Sequence, residues 1–394
     1  MSDSTLSAFQ IFWIYLRLGC ISFGGPVAHL GYFKDEFVNR RKWLSDARYT
    51  ELLGLCQFVP GPSSSQLGFA IGWHKSGFTG ACMAWLGFTL PSALLMIGFA
   101  YSLFAVGERA DLFIEGLLIA AVAVVANAVL GLGKKLCPDA KRLGIALLAT
   151  ALMLFISGTL IQMAVILIGA CLGNAFYRKD CTTTPTVDSE QTKIRRGLVI
   201  SALILYSSLL AGAVYLNNVH QDSIYAVHYQ AGALVFGGGH VVLPLLQEGL
   251  VPILITENSF LAGYSAAQAL PGPLFTLSAF LGTSSGITNP HWLGGIGALI
   301  AVFLPGILLL IGLIPFWNKL RRRRWAQAGL IGVNASVVGL LLAALINPVW
   351  PHGIRTWVDF TIAILAFLAL YKYKVPAWCV VLGCGVAGLV MTDL

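Results

Sequence analysis

The sequence predicts an all-α polytopic membrane protein made of two inverted homologous repeats, with broken or re-entrant helical hairpins. Three observations support this prediction. Of the 394 residues, 57% are hydrophobic and only 11% are charged, which is too few charges to cover a water-soluble fold of this size. The apolar residues form about 13 segments of the length that membrane helices need. Several short motifs recur at nearly one fixed distance along the chain.

The composition also excludes other classes of protein. A disordered chain needs low hydrophobicity, which this chain lacks. The net charge of +8 would suggest nucleic-acid binding in a soluble protein. Here the Lys and Arg residues lie between apolar segments, as the positive-inside rule expects, so we expect a lipid bilayer and no nucleic acid as partner. The eight Cys residues form no CxxC pair, and we expect no metal site and no cofactor.

The apolar segments differ in length, and several are interrupted by Gly and Pro. They are 9–33, 47–72, 78–106, 112–133, 143–158, 160–177, 197–216, 223–247, 259–287, 292–317, 325–347, 356–371 and 376–392.

The two halves of the chain share an ordered set of motifs. Phe23-Gly24-Gly25-Pro26 recurs 213 residues later as Phe236-Gly237-Gly238-Gly239, and Pro60-Gly61-Pro62 recurs 211 residues later as Pro271-Gly272-Pro273. Leu90-Pro91 matches Leu304-Pro305 at a distance of 214. The predicted domains are an N-terminal repeat at 1–177, a cytoplasmic linker at 178–196, an inverting helix with an external loop at 197–222, and a C-terminal inverted repeat at 223–394.

The basic loops predict which segments cross the membrane. All the basic loops lie in the cytoplasm if the first two apolar segments of each half enter the bilayer and return to the same side. Each broken segment then gives two arms of about 17 Å, which reach the bilayer midplane. The N-terminus becomes cytoplasmic and the C-terminus periplasmic, that is, external. The basic loops are 34–42, 134–142, 178–196 and 319–324.

The hairpin tips are the predicted substrate site. Helices broken inside a bilayer leave N–H groups unpaired, and helix N-termini attract anions. Plain helix capping by Ser and Pro is the alternative. The candidate substrate-binding residues are the tip glycines and the polar side chains near them: Arg17, Gly24, Gly25, His29, Gln57, Gly61, Ser63, Ser64, Ser65, Gln66, Gly237, Gly238, Gly239, His240, Gln268, Gly272 and Thr276.

Two kinds of candidate have a structural alternative. Arg17 lies inside an apolar arm and either attracts an anion or pairs with a carboxylate such as Glu51 or Glu115. Its repeat counterpart is Gln230. His29 and His240 follow the first tip of each half and either bind a proton or an oxyanion, or hydrogen-bond the broken backbone.

The tip regions resemble the signatures of the chromate ion transporter family in its long, two-domain form. The resemblance lies in residues 18–72, which contain FGGPVAHLGYF and PGPSSSQLGFAIG, and in FGGGHVVLPLL and YSAAQALPGPLFTLSAFLG of the second half. It implies a secondary transporter of the bacterial inner membrane. Such a protein exports chromate, is driven by protons or the membrane potential, and confers chromate resistance.

Other functions stay open at this stage. Sulfate is also a tetrahedral dianion, and a sulfate or other oxyanion transporter or a passive anion channel would fit the same residues. The chain has no HExxH or P-loop motif, so we do not expect an enzyme. The sequence does not fix the oligomeric state, and a homodimer is among the states it allows.

Overall fold

The computed structural model describes residues 7–23, 25–106, 111–156, 159–181, 195–219, 223–236, 242–285, 291–317 and 323–390, and all regular structure in these ranges is helical. The expected all-α class is therefore confirmed for the described part of the chain. Five of its helices are long and apolar enough to cross a bilayer, as judged by length and composition. They are Ser63–Val106, Asp111–Leu136, Arg196–Asn217, Trp292–Phe316 and Arg324–Gly353.

The first half begins with short helices that end at the Gly and Pro motifs. Ser7 and Ser45 cap two of them with side-chain oxygens that accept a backbone N–H. The long helix α4 bends at Ser76 and Gly77, whose backbone angles are not helical. The helices are α1 (Ala8–Ile21), α2 (Gly25–Lys34, continued by a π-helix at Asp35–Arg40), α3 (Asp46–Phe58), α4 (Ser63–Val106), α5 (Asp111–Leu136), α6 (Ala140–Phe155), α7 (Thr159–Tyr177) and α8 (Arg196–Val219).

The second half follows the same order. Thr256 caps α11 as Ser45 caps α3. The helices are α9 (Ile224–Leu234), α10 (Val242–Leu250), α11 (Glu257–Ala269), α12 (Leu277–Ser284, preceded by a 3-10 turn at Leu274–Thr276), α13 (Trp292–Leu313), α14 (Arg324–Ala344, continued by a π-helix at Leu345–Val349), α15 (Trp350–Gly353), α16 (Trp357–Tyr371) and α17 (Ala377–Val390).

The chain turns back after its first helices, as the hairpin prediction requires. The ring of Tyr15 in α1 stacks on Phe37 at 5.0 Å and meets Phe33 edge-on at 5.7 Å, although 22 residues separate Tyr15 from Phe37. The Tyr15 hydroxyl donates to the carbonyl of Gly68 at 3.0 Å. Residues on α1, α2 and the first arm of α4 therefore lie at one level, which means that the chain reverses at each intervening break.

Small residues let the helices of the two halves pack closely. A Cβ on Gly116 of α5 would lie 2.1 Å from the carbonyl oxygen of Cys384 in α17, and a Cβ on Gly332 of α14 would lie 1.8 Å from that of Gly169 in α7. Backbone approach of this kind is typical of membrane helices. Each half therefore packs against the last two helices of the other half. In the first half, α5 packs on α16 and α17, and in the second half, α14 packs on α6 and α7.

Candidate functional site: a junction of four broken helices

The breaks of the two halves meet in pairs of reciprocal backbone contacts. The N–H of Gly61 donates to the carbonyl of Val235 at 2.7 Å, and the N–H of Gly272 donates to the carbonyl of Ser22 at 3.0 Å. In each pair, a PGP glycine of one half contacts the residue just before the Phe-Gly-Gly motif of the other half. We call the region around these two pairs the junction. It joins the four breaks at one place in the fold.

The junction lies near the middle of the long arm of α4. A Cβ on Gly272 would lie 3.3 Å from the carbonyl oxygen of Phe88, and the ring of His29 meets that of Phe88 edge-on at 5.2 Å. Phe88 stands ten residues after Phe78, where the arm begins. At 1.5 Å per residue this is about 15 Å along the helix, which equals about half the thickness of a bilayer's hydrocarbon core.

The PGP glycines have backbone angles that explain why glycine stands there. Gly61 has a φ of +128° and Gly272 a φ of +92°, a region that side chains with a Cβ rarely adopt. Gly25 also has a positive φ, of +73°. All three of these tip glycines therefore adopt a φ that glycine reaches without strain. The other tip candidates lie outside the described residues: Gly24, Gly237, Gly238, Gly239 and His240.

His29 is fully buried and is held on both sides of its ring. Nε2 lies 3.1 Å from the carbonyl oxygen of Ser22, and Nδ1 lies 3.4 Å from the hydroxyl of Ser64. In a neutral ring that satisfies both contacts, Nε2–H donates to Ser22 and the Ser64 hydroxyl donates to Nδ1. The Ser22 carbonyl therefore accepts from both His29 and Gly272, so His29 stabilises the junction.

The first turn of α4 is a buried helix N-terminus that is rich in hydroxyl groups. The N–H of Gln66 donates to the carbonyl of Pro62, which leaves the N–H groups of the three preceding serines without a partner inside the helix. Ser64 and Ser65 are buried, and Ser63 is half-buried. Unpaired N–H groups and the helix dipole give this end a partial positive charge, which suits an anion.

Four buried oxygen atoms around the junction have no hydrogen-bond partner among the described residues. They are Ser22 Oγ, Ser65 Oγ, Gln66 Oε1 and Thr89 Oγ1. A buried polar atom without a partner is costly and calls for an explanation. The three hydroxyls are able to donate to an oxyanion, whereas the Gln66 oxygen can only accept. Ser22 and Thr89 were not expected from the sequence, although Thr89 directly precedes the repeated Leu90-Pro91 motif.

Gln66 does not fit the expected role of an anion donor. Its Nε2 group already donates to the carbonyl of Pro60 at 2.9 Å and to that of Gly306 at 3.0 Å. Both hydrogens are thus used, and Gln66 ties the first PGP loop to α13 of the other half. Thr276 is similar, because its hydroxyl donates to the carbonyl of Pro273 at 2.8 Å. Neither group has a free donor in this structure, and the substrate-binding role of Gln66 and Thr276 stays a prediction.

The two glutamines before the PGP motifs lie differently from each other. Gln57 is exposed near the end of α3, while Gln268 is half-buried and its side chain hydrogen-bonds that of Tyr264. The repeat therefore places the same residue type at both tips without giving it the same surroundings.

Arg17 lies on the exposed face of α1, together with Trp13. The two carboxylates considered as its partners are paired elsewhere, since Glu51 binds Arg48 at 2.7 Å and Glu115 binds Arg355 at 3.5 Å. The expectation of an ion pair from Arg17 to either of them is wrong. Arg17 precedes Ser22 by five residues, about 7.5 Å along a helix.

A charged cluster lies beyond α2, on the side of the fold away from the junction. The buried carboxylate of Glu36 accepts from Arg41 at 2.6 Å and from Arg40 at 3.0 Å. Burial alone would raise the pKa of Glu36, but the hydrogen bonds from Arg41 and Arg40 outweigh it and hold this pKa below its usual value. The cluster therefore keeps its charges at neutral pH.

Comparison with known proteins gives one family. A family model described as "Chromate transporter" matches residues 9–174 and 223–389, on either side of the linker and α8. No solved structure matches significantly.

Full-length relatives carry names of the same kind. The chain is 28% identical to the "Chromate transport protein" of Cupriavidus metallidurans, over 98% of this chain and 93% of the relative. It is 26% identical to the "Probable chromate transport protein" of Synechococcus elongatus, over 97% and 95% of the two chains. It is 27% identical to an uncharacterized transporter of Methanocaldococcus jannaschii, over 93% and 90%.

Proposed function

The chain belongs to the chromate transporter family, and we propose from this that it is a secondary transporter which exports chromate across the bacterial inner membrane and so confers chromate resistance. The proton gradient or the membrane potential drives the export. Chromate is a tetrahedral dianion, so its site must supply several hydrogen-bond donors to a small group of oxygen atoms.

The observation that carries this proposal is the junction. It brings a buried helix N-terminus and three hydroxyls without partners (Ser22, Ser65 and Thr89) to the middle of the fold. We assign these groups to the anion, with Arg17 as the nearby cation that attracts it. The hydrogen bonds from Gly61 to Val235 and from Gly272 to Ser22 hold the tips together. Transport then requires these two contacts to break as the anion passes.

The topology is part of the proposal. The two repeats, 1–177 and 223–394, lie in opposite orientations, with the N-terminus and the linker at 178–196 in the cytoplasm and the C-terminus outside. Contacts between helix ends support one basic side. Lys134 binds the Tyr371 hydroxyl, and the guanidinium of Arg142 lies 5.0 Å from the centre of the Tyr177 ring. Each contact joins chain segments that this topology places in the cytoplasm.

The test is radiolabelled chromate flux into liposomes that contain the purified protein, with an imposed pH gradient or voltage. Accumulation above equilibrium supports a coupled transporter. Equilibration that ignores both gradients would indicate a passive channel, and flux no faster than in empty liposomes would refute the proposal. Competition by sulfate, at equal concentrations, separates a chromate transporter from a general carrier of tetrahedral dianions.

A pair of serine variants tests the site itself. Ser65→Ala removes a buried hydroxyl that has no partner within the described residues, and it should weaken the apparent affinity for chromate. Ser102→Ala is the matched control, since this exposed hydroxyl donates only to the carbonyl of Phe99. A donor to a charged ligand contributes ~1.5–3 kcal/mol, or about 10- to 150-fold in affinity. Equal kinetics for the two variants would exclude Ser65 from the site.

A further inference from the structure

A cavity of about 310 Å³ lies away from the junction, between α7, α10, the start of α11 and the end of α14. Its lining includes two carboxylates, Glu248 and Glu257, and the amides of Gln162, Gln247 and Asn347. By the proposed topology it lies near the external face, opposite the basic loops. An acidic cavity is the wrong chemistry for a dianion, so it needs another explanation.

The repeat shows what is unusual about this cavity. In the first half, Lys34 stands eleven residues after Phe23, and Asp46 stands fourteen before Pro60. Their side chains form a salt bridge at 2.7 Å. At the same distances from Phe236 and Pro271, the second half has Gln247 and Glu257.

The second-half pair keeps the contact and loses the cation. The Gln247 amide donates to the Glu257 carboxylate where the first half has a salt bridge. The carboxylate is thus retained, whereas the positive charge that neutralises its counterpart is absent from this pair. The other titratable groups near Glu257 are Glu248, which also lines the cavity, and His352, whose positive form would favour the Glu257 carboxylate.

A buried amide oxygen gives independent support for a ligand. Gln162 is 1% exposed and lines the cavity. Its Nε2 donates to the carbonyl of Pro244 at 3.1 Å, while its Oε1 has no partner among the described residues. A buried oxygen of this kind needs a donor or a cation. Together with the Glu257 carboxylate, which lines the same cavity, it would give an oxygen-only ligand set, which suits a hard cation.

We propose that this cavity is a binding site for a small monovalent cation, H⁺ or Na⁺, held by Glu257 with Gln162 Oε1. In the described part of the chain, no three His, Cys, Asp or Glu side chains are grouped as they would be for a metal ion of higher charge. The site occupies the position where the first half has a lysine ammonium group. It does not depend on which anion the junction takes.

The test measures the melting temperature of the purified full-length protein, without any anion substrate. Choline is replaced by Na⁺ at constant ionic strength, and the pH is varied between roughly 5 and 8. Bound Na⁺ raises the melting temperature as its concentration increases. If Glu257 holds a proton in the folded state, the folded state binds more protons than the unfolded chain. Its stability is then greatest at low pH and is lost as the pH rises.

Three variants decide the outcome. Glu257→Gln removes the carboxylate, and Gln247→Lys copies the first half and supplies a fixed cation; both should lose the wild-type dependence on Na⁺ or on pH. Glu115→Gln makes the same charge change at a carboxylate paired with Arg355 outside the cavity, and it should keep that dependence. Loss of the Na⁺ response identifies Na⁺, and loss of only the pH response identifies the proton. If Glu257→Gln and Gln247→Lys both behave like wild type, the proposal is wrong.

Discussion

Replacing Gly61 by alanine adds a methyl group at the tightest point of the junction. The new Cβ would lie 2.6 Å from Nε2 of Gln66 and 2.9 Å from the backbone Cα of Gly306. The Gln66 side chain cannot simply move away, since it is bonded to the carbonyls of Pro60 and Gly306. The substitution therefore strains the backbone and separates α4 from α13 at the same time.

The expected cost has two parts. A positive φ costs a residue with a Cβ about 1–2 kcal/mol. Overpacking of a filled interior adds about 1–3 kcal/mol. Gly61→Ala should then lose about 2–5 kcal/mol of stability at the junction. The same substitution displaces the first PGP loop from Val235 and Gly306, so the chromate flux per folded molecule should also fall.

The chain contains matched controls for this experiment. Gly77 also has a positive φ, of +62°, but no atom lies within 4 Å of the position of its Cβ. Gly77→Ala therefore carries the backbone cost alone. Gly272→Ala is intermediate, because its Cβ would lie 2.8 Å from the Ser92 hydroxyl, which is able to rotate. The loss of stability and of flux should follow the order Gly61, Gly272, Gly77.

The assay is the melting temperature in detergent, measured together with chromate flux in liposomes for the same preparations. The reasoning would be refuted if Gly61→Ala melted no lower than Gly77→Ala. It would also be refuted if Gly61→Ala transported chromate at the wild-type rate, because the contacts of Gly61 with Val235 and Gly306 would then not matter for function.

Charged residues and loops give three further expected outcomes. Arg17→Gln, which copies Gln230, should weaken apparent chromate affinity in liposome flux, because the positive charge that attracts the dianion toward the junction is lost; wild-type kinetics would remove Arg17 from the site. The pKa of Glu36 is lowered in the folded state from 4.5, so its stabilisation is present above about pH 4.5 and is lost as the pH falls further. The melting temperature should therefore fall less steeply between pH 7 and low pH for Glu36→Gln than for wild type. An equal fall in the two proteins would contradict this. In an otherwise Cys-free protein in intact cells, an impermeant maleimide should label Ile253→Cys but not Asn39→Cys, and external labelling of the latter would contradict the hairpin topology.

The sequence was sufficient to locate the broken helices. Gly and Pro interrupt apolar segments at places where the structure ends α3 before Pro60 and α11 before Pro271. These residues act locally, through φ and through a missing N–H, so their effect can be read without knowing the fold. The contacts of Gly61 and Gly272 with the opposite half are different, because a repeat shows equivalence and does not show which surfaces meet.

Arg17 shows why the orientation of a membrane helix is hard to predict. In α1, the buried residues Ile11, Tyr15 and Leu18 are as apolar as the exposed residues Phe9 and Trp13. A water-soluble helix would mark its buried face by hydrophobic periodicity. In a bilayer both faces are apolar, so the sequence placed Arg17 within the apolar arm but did not reveal its exposed face.

The hydrogen bonds of Gln66 were hard to predict for a different reason. Its position in the first turn of α4 was predictable, and an amide there is chemically suited to an anion. Its hydrogens are nevertheless used by the carbonyls of Pro60 and Gly306, and Gly306 lies 240 residues away in the chain. Only the three-dimensional packing of α13 against the PGP loop shows that this donor is already occupied.

The substitutions between the repeats make the two sides of the protein electrically unequal. Arg17 in the first half corresponds to Gln230 in the second, and the salt bridge of Lys34 with Asp46 corresponds to the contact of Gln247 with Glu257. Each change removes a positive charge from the second half. In an inverted arrangement these halves face opposite sides, so an anion meets more positive charge on one side than on the other. In the proposed inverted topology, these cation-to-amide replacements should therefore make the apparent affinity for the anion differ between the two sides, while the net direction of movement is set by the imposed gradients.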